Sequence, residues 1–271
     1  MNFTGKTVII TGAGRGIGAA LAREFATRGA RVALADLDRD EVRAVALEIG
    51  ASAYVCDVTI EQDIQRLVMR VEAELGEIDI FFSNAGICRG EPDHAASATN
   101  ATWQACWEVH VMAHVYATRA VLPAMIARGD GYLIQMASAA GVLNQIGDTA
   151  YSTTKHAAVG LAEALAITHG NQGIKVSVAC PQYVATEMLG YDNPAQANDL
   201  PSVLSPQDLS QRVADAMEAE TFMILPHPEV AGYMEFKASH YEKWLDSMRN
   251  LRAKIITKLG NTKLTEMHKW I

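Results

Sequence analysis

Short apolar runs alternate along the chain with longer stretches in which apolar positions recur every three or four residues. The runs are TVIIT (7–11), RVALA (31–35), SAYVC (52–56), IDIFFS (78–83), GYLIQMA (131–137) and IKVSVAC (174–180). They are rich in β-branched and aliphatic residues and near-continuous rather than alternating. A strand covered on both faces has that pattern, because neither face meets water. Between the runs, the spacing predicts helices at about 16–28, 38–49, 60–75, 102–127 and 151–170. A helix at about 206–219 precedes a seventh run, FMIL (222–225). Strands alternating with helices require right-handed crossovers, which set the strands parallel. The predicted architecture is α/β: a single-domain, doubly wound parallel sheet of seven strands with helices on both faces.

Two regions break the rhythm. Residues 187–204, EMLGYDNPAQANDLPSVL, carry Gly, Asn and two prolines and are expected to form a substrate loop or lid. After PHPEV, residues 229–259 read as an amphipathic helix with both signs of charge. It either closes the fold as a surface helix or contacts another subunit. The whole of 227–271 is taken as a C-terminal helical extension.

Composition narrows the function classes. With 271 residues, 49 % hydrophobic and 20 % charged, the chain can bury a core without staples. A net charge of -8 offers no basic face for phosphates, which argues against nucleic acid as a partner. Cys56, Cys88, Cys106 and Cys180 form no CxxC pair and have no histidine nearby at ligand spacing. Free thiols in a reducing compartment and no metal site are expected. The N-terminus MNFTGKTVII runs straight into a strand pattern, and no run approaches the ~18 apolar residues of a membrane span. A cytoplasmic protein with no membrane partner is expected.

The first candidate chemistry lies in TGAGRGIG (11–18), between the first strand and the first helix. Gly12, Gly16 and Gly18 allow a tight turn and bring backbone N–H groups close to a pyrophosphate at the helix N-terminus. Asp36 ends the second strand, 18 residues past Gly18. A carboxylate there accepts hydrogen bonds from the adenosine ribose and repels a 2′-phosphate, which favours NAD over NADP. Arg15 pulls the other way, since a cation in this turn can meet a phosphate.

The second lies in YSTTK (151–155). Tyr151 and Lys155 are four residues apart and share a helix face. A nearby ammonium and an oxidised nicotinamide both favour the phenolate, so the Tyr151 pKa is expected to fall. Ser138, just past the strand GYLIQMA, can direct its hydroxyl at the same substrate oxygen.

Over residues 4–226 these features resemble the short-chain dehydrogenase/reductase family, whose fold is Rossmann-type. TGAGRGIG resembles the family's glycine motif, and CDVT (56–59) its adenine-ring motif, with Asp57 as the contact. NAG (84–86) matches the segment after the fourth strand, and Ser138, Tyr151 and Lys155 stand at family spacing. The resemblance implies that Tyr151 is the general acid/base, that Ser138 steadies the substrate oxygen, and that Lys155 binds the nicotinamide ribose and tunes Tyr151. It implies that Thr186 touches the carboxamide. The cofactor set it implies is Gly12, Arg15, Gly16, Ile17, Gly18, Asp36, Asp57, Val58, Asn84, Ala85, Gly86, Tyr151, Lys155, Pro181, Val184 and Thr186. It implies a homotetramer, or a homodimer, built from the helices at about 102–127 and 151–170.

Two positions depart from the family pattern. Gln182 follows Pro181 where the family has glycine, and its side chain is expected beside the nicotinamide pocket. His110 replaces an asparagine that in the family holds a water linking Lys155 to solvent. A neutral imidazole can hold one such water and can titrate near neutrality, so His110 is expected at the relay position, with an altered pH dependence. Alternatively, its bulk displaces the water, or it is simply a packed helix residue.

The substrate wall is expected from Ser138, Leu143, Gln145, Tyr183, Met188 and Tyr191. No arginine stands among them, so the expected substrate is a neutral, fairly large secondary alcohol or ketone, and the activity an NAD-dependent dehydrogenase or carbonyl reductase. The same scaffold also admits an epimerase or lyase without net redox change, or a non-catalytic nucleotide-binding regulator.

Overall fold

The computed structural model describes residues 1–91 and 93–270; Ile271, the end of the expected extension, lies outside them. The sheet holds β1 (Thr7–Thr11), β2 (Arg31–Asp36), β3 (Ser52–Val55), β4 (Ile80–Ser83), β5 (Gly131–Met136), β6 (Ile174–Ala179) and the short β9 (Met223–Ile224). Its order is β3-β2-β1-β4-β5-β6-β9, and every pairing is parallel. The chain starts in the middle at β1, runs out to β3, then returns to place β4 on the other side of β1. The carboxyl ends of β1 and β4 therefore diverge into a crevice, where ligands bind in doubly wound sheets.

Both faces of the sheet are covered, as the near-continuous apolar runs require. On one face α1 (Gly16–Thr27), α2 (Arg39–Ile49) and α7 (Pro206–Glu218) bury Leu21, Phe25, Val42, Leu209 and Val213 against Val8, Ile10 and Phe82. On the other, α3 (Glu61–Leu75), α5 (Ala113–Arg128) and α6 (Thr149–His169) bury Ile64, Val71, Val121, Met125 and Ala158 against Ile9 and Phe81. Side chains of β1 thus alternate between two cores, as a pleated strand dictates.

Three stretches differ from their sequence reading. The helix expected at about 102–127 is a run in three parts: α4 (Asn100–Trp107), a π turn at Glu108–Met112, and α5. A π turn holds one extra residue and shifts the helix face beyond it. By length and composition this 29-residue run could cross a membrane, as the core helix of a sheet-packed domain also could; its apolar face packs on the sheet.

Residues 187–204 are not a bare loop. β7 (Tyr183–Val184) pairs with β8 (Val203–Leu204), and between them Tyr183, Leu189, Tyr191, Ala197 and Val203 bury a small core of their own. The helix expected at 229–259 is two helices, α8 (Glu229–Ser239) and α9 (Tyr241–Leu259), broken at His240. A last turn, α10 (Leu264–Met267), folds back onto that small core.

Candidate active site

A cavity of about 550 Å³ opens at the carboxyl ends of β1, β4, β5 and β6. One end is made of backbone. Gly12 has φ +64°, and a Cβ there would lie 2.8 Å from Ala85 Cα. A Cβ on Gly18 would lie 2.0 Å from the Gly12 carbonyl oxygen, so only glycine lets the two passes of the turn meet. Asn84 props this turn: its Nδ2 donates to the carbonyls of Thr11 (2.8 Å) and Gly12 (3.2 Å). The Thr11 hydroxyl in turn accepts from the backbone N–H groups of Asn84 and Ala85. Helix α1 begins with no side-chain cap, which leaves its first N–H groups to an anionic ligand.

Asp36 closes this end. Its carboxylate accepts from Gly14 N (2.9 Å) and Asp38 N (3.0 Å) and still lines the cavity. Asp57 accepts from the Thr59 amide and hydroxyl, which fixes the CDVT turn on the cavity wall. The Arg15 guanidinium is not free: its Nη1 pairs with Glu187 Oε2 at 2.9 Å, across the mouth. All sixteen residues expected to hold the cofactor line the cavity.

The catalytic candidates meet in the middle. Ser138 follows β5; its Oγ accepts from Ala140 N (3.1 Å) and donates to the Pro181 carbonyl (3.4 Å). Tyr151 sits in the first turn of α6, whose N-cap is Asp148; Tyr151 N donates to that carboxylate at 3.1 Å. Asp148 also accepts from Arg89 N, Gly90 N and the Cys88 thiol. It therefore pins the segment after β4 to the start of the catalytic helix. Sequence reading passed over Asp148, although an aspartate just before a helical pattern is an N-cap signal.

Lys155 lies one turn beyond Tyr151; its Nζ donates to the Met136 carbonyl at 2.7 Å and sits 5.6 Å from the Tyr151 ring centre. Burial pushes the Lys155 ammonium down to about 8. It pushes the Tyr151 phenol up, with the Ser138 hydroxyl pulling the other way. The expected fall of the Tyr151 pKa is thus reversed among the protein's own groups, because desolvation outweighs the hydrogen bond to Ser138.

His110 is fully buried in the π turn and does not line the cavity. Its Nε2 accepts from Ile87 N at 3.1 Å, and its Nδ1 lies 2.8 Å from Thr154 Oγ1. A neutral ring with its proton on Nδ1 satisfies both contacts, since the Thr154 hydroxyl donates onward to Ala150 O. The ring therefore has no nitrogen left to hold a relay water. Its pKa lies well below the ordinary value, through burial and the nearby Lys155 and His114. Neither the expected relay water on the side chain nor titration near neutrality survives. Instead the ring ties the segment after β4 to α6 and stands edge-on to Tyr151, with ring centres 5.4 Å apart. One turn further on, His114 is buried with neither nitrogen partnered among the described residues, and burial pushes it down to about 3.

Of the expected substrate residues, Ser138, Leu143, Gln145, Tyr183 and Met188 line the cavity. Tyr191 does not: it is 5 % exposed, and its hydroxyl lies 2.7 Å from His268 Nε2. Packing in the small core draws the ring inward, away from the cavity. Gln182 lines the cavity as expected; its N donates to His227 Nδ1 (3.1 Å), and its buried Oε1 has no partner among the described residues. Asn144, Leu189 and Leu264 also line the cavity and were not expected. Leu264 had no local signal, because 113 positions of chain separate it from Tyr151 (264 − 151).

The model of the short chain dehydrogenase family matches residues 6–197. The oxidoreductase UcpA of Salmonella typhimurium is 34 % identical over 256 residues, covering 92 % of this chain and 93 % of that one. Epidermal retinol dehydrogenase 2 of Mus musculus is 32 % identical over 235 residues, covering 83 % and 75 %. A short chain dehydrogenase/reductase from Burkholderia phymatum, solved in complex with NAD, superposes with a TM-score of 0.80 at 25 % identity, covering 89 % of this chain and 96 % of that one.

Proposed function

The chain belongs to the short-chain dehydrogenase/reductase family, and we propose that it is an NAD-dependent oxidoreductase acting on a neutral, fairly apolar secondary alcohol or ketone. One observation carries the reading: the glycine turn, Asp36, Ser138, Tyr151 and Lys155 all line one cavity. The cradle also fits a dinucleotide. A Cβ would close the turn at Gly12 and Gly18, and the start of α1 offers unspent N–H groups.

In this reading the turn and α1 hold the pyrophosphate, and Asp36 holds the adenosine ribose. The pairing of Arg15 with Glu187 supports NAD over NADP, since it sets a carboxylate against the cation that would meet a 2′-phosphate. Lys155 lies toward the nicotinamide ribose and Thr186 toward the carboxamide. When bound, the nicotinamide accepts the hydride that the alcohol carbon releases, or returns it in the reductive direction.

The protein's own part is proton handling. In oxidation the Tyr151 oxygen takes the hydroxyl proton as the carbon–oxygen double bond forms; in reduction it gives that proton back. Ser138 orients the same substrate oxygen. Lys155, with its pKa near 8, holds or passes a proton close to neutral pH and lowers the cost of the phenolate. The oligomer is proposed to be a homotetramer, with exposed Trp107 on α4 and Ile167 on α6 available to its interfaces.

The test is absorbance at the NADH band with purified protein, NAD or NADP, and a panel of neutral alcohols and ketones. A net change with NAD and a neutral substrate is expected. Product without net change points to an epimerase or lyase, and binding alone to a regulator; either outcome overturns the proposal.

A further inference from the structure

The C-terminal extension touches the segments that carry the cavity wall, 142–147 and 183–204, at four places. In α8, Lys237 Nζ donates to the carbonyls of Val142 (2.9 Å) and Leu143 (3.1 Å). Beyond α9, the backbone passes so close to Gly147 that a Cβ on that glycine would lie 2.5 Å from the Thr262 carbonyl oxygen. Leu264 then lines the cavity and packs on the small core around Tyr183 and Leu189. Last, His268 is 1 % exposed and held at both ring nitrogens. Its Nδ1 lies 2.7 Å from the Leu264 carbonyl and its Nε2 lies 2.7 Å from the Tyr191 hydroxyl.

With the ring neutral, the form its burial favours, these contacts define one arrangement of protons. A carbonyl only accepts, so Nδ1–H donates to Leu264 O, and Nε2 accepts from the Tyr191 O–H. The Tyr191 and His268 rings meet edge to face with centres 5.4 Å apart. The side chain that leaves the cavity wall is thus the one that fastens the tail.

The first two contacts fall on the wall at 142–147, between Ser138 and Tyr151; the other two fall on the wall at 183–204. Residues 262–268 therefore join two walls that come from separate parts of the chain. A strap so placed limits the far end of a substrate whose oxygen sits at Ser138 and Tyr151. Leu143, Met188 and Leu189 line the same cavity and are apolar like Leu264.

We propose that residues 262–268 strap the substrate end of the cavity and that Leu264 is a specificity-determining residue, setting how long an apolar arm the alcohol or ketone carries. Tyr191 and His268 are positioning residues that act through Leu264. The proposal rests on the oxidoreductase reading above and names the substrate as a secondary alcohol or ketone with one apolar arm of bounded length.

The test uses the full chain with NADH and a series from methyl ethyl ketone to methyl octyl ketone. In Leu264→Trp, kcat/KM for the longest accepted ketone falls about tenfold while that for methyl ethyl ketone stays within about twofold, because each buried methylene is discriminated separately. In Leu264→Ala the limit moves to longer arms. In His268→Ala and Tyr191→Phe, KM for long ketones rises with kcat and the NADH Kd unchanged, and amide hydrogen exchange over 187–204 quickens. Equal changes for short and long ketones in Leu264→Trp overturn the proposal. So does unchanged exchange in His268→Ala. If the parent protein turns over neither this series nor the wider panel of neutral alcohols and ketones, the oxidoreductase reading fails on its own account, and exchange in the NAD-loaded protein still decides for or against the strap.

Discussion

The two ends of the cavity are built from different materials. The cofactor end is backbone: a glycine turn with a positive φ, a bare helix N-terminus, and an asparagine and a threonine spent on carbonyls and amides. Its parts lie within the first β-α-β units, close in sequence. The substrate end is side chains on late additions: a small core at 183–204 and a tail that returns from the far end of the chain. A backbone site has few solutions, because a Cβ in the wrong place has nowhere to go. A side-chain site tolerates change, because its groups repack. Such a division keeps one cofactor while the substrate varies.

The largest effect separates chemistry from both ends. In Tyr151→Phe, kcat falls by about a hundredfold to ten-thousandfold, the usual worth of a positioned acid or base. NADH affinity, read by fluorescence titration, falls far less, because the glycine turn and Asp36 are untouched. A matching loss of NADH affinity would show that the two ends are not separable.

The next contrast sets one end against the other in stability. Gly18→Ala drives a methyl group into the Gly12 carbonyl oxygen and is expected to cost about 3 kcal/mol or more. Tyr191→Phe, at the substrate end, removes one buried hydrogen bond and is expected to cost about 1 kcal/mol. Denaturant melts compare them directly; equal costs would break the contrast.

At the junction, Lys155→Met abolishes turnover yet raises stability by about 1–3 kcal/mol at pH 7, because a buried ammonium is lost. The folded pKa, about 8, lies below the unfolded value of 10.5. Between those values the unfolded chain binds more protons, so the stability of the parent rises with pH across that window. The advantage of the variant therefore shrinks from pH 8 to 10.5. Melts across that range that show a constant difference would contradict the buried-ammonium account.

The smallest effect concerns His110. His110→Asn keeps a donor and an acceptor and leaves the pH–rate profile superimposable on that of the parent, since the ring does not titrate near neutrality. His110→Phe leaves Ile87 N–H without its acceptor and removes the ring N–H that Thr154 Oγ1 accepts, and costs about 1–3 kcal/mol. A shifted profile in the asparagine variant would restore His110 to the proton path.

The fold class was legible because near-continuous apolar runs and helical spacing are local consequences of a sheet covered on both faces. The glycine turn, Asp36 and the Ser138–Tyr151–Lys155 spacing were legible for the same reason. Each is a short-range pattern, and the cavity collects them all. What the sequence could not display were relations between distant residues. The π turn at Glu108–Met112 depends on how the helix run packs between sheet and α6. The use of both His110 nitrogens depends on Ile87 and Thr154, which only the fold brings to it. The sign of the Tyr151 shift depends on how much water the surroundings exclude, a quantity no motif contains. Tyr191 read as a substrate contact from its neighbours in sequence, and was turned away by a histidine 77 positions later. The sequence by itself determined the chemistry on offer, because local spacing sets which groups share a turn or a helix face. Only the tertiary structure decided which groups are free to use it, because burial and hydrogen-bond partners come from contacts that close over long loops.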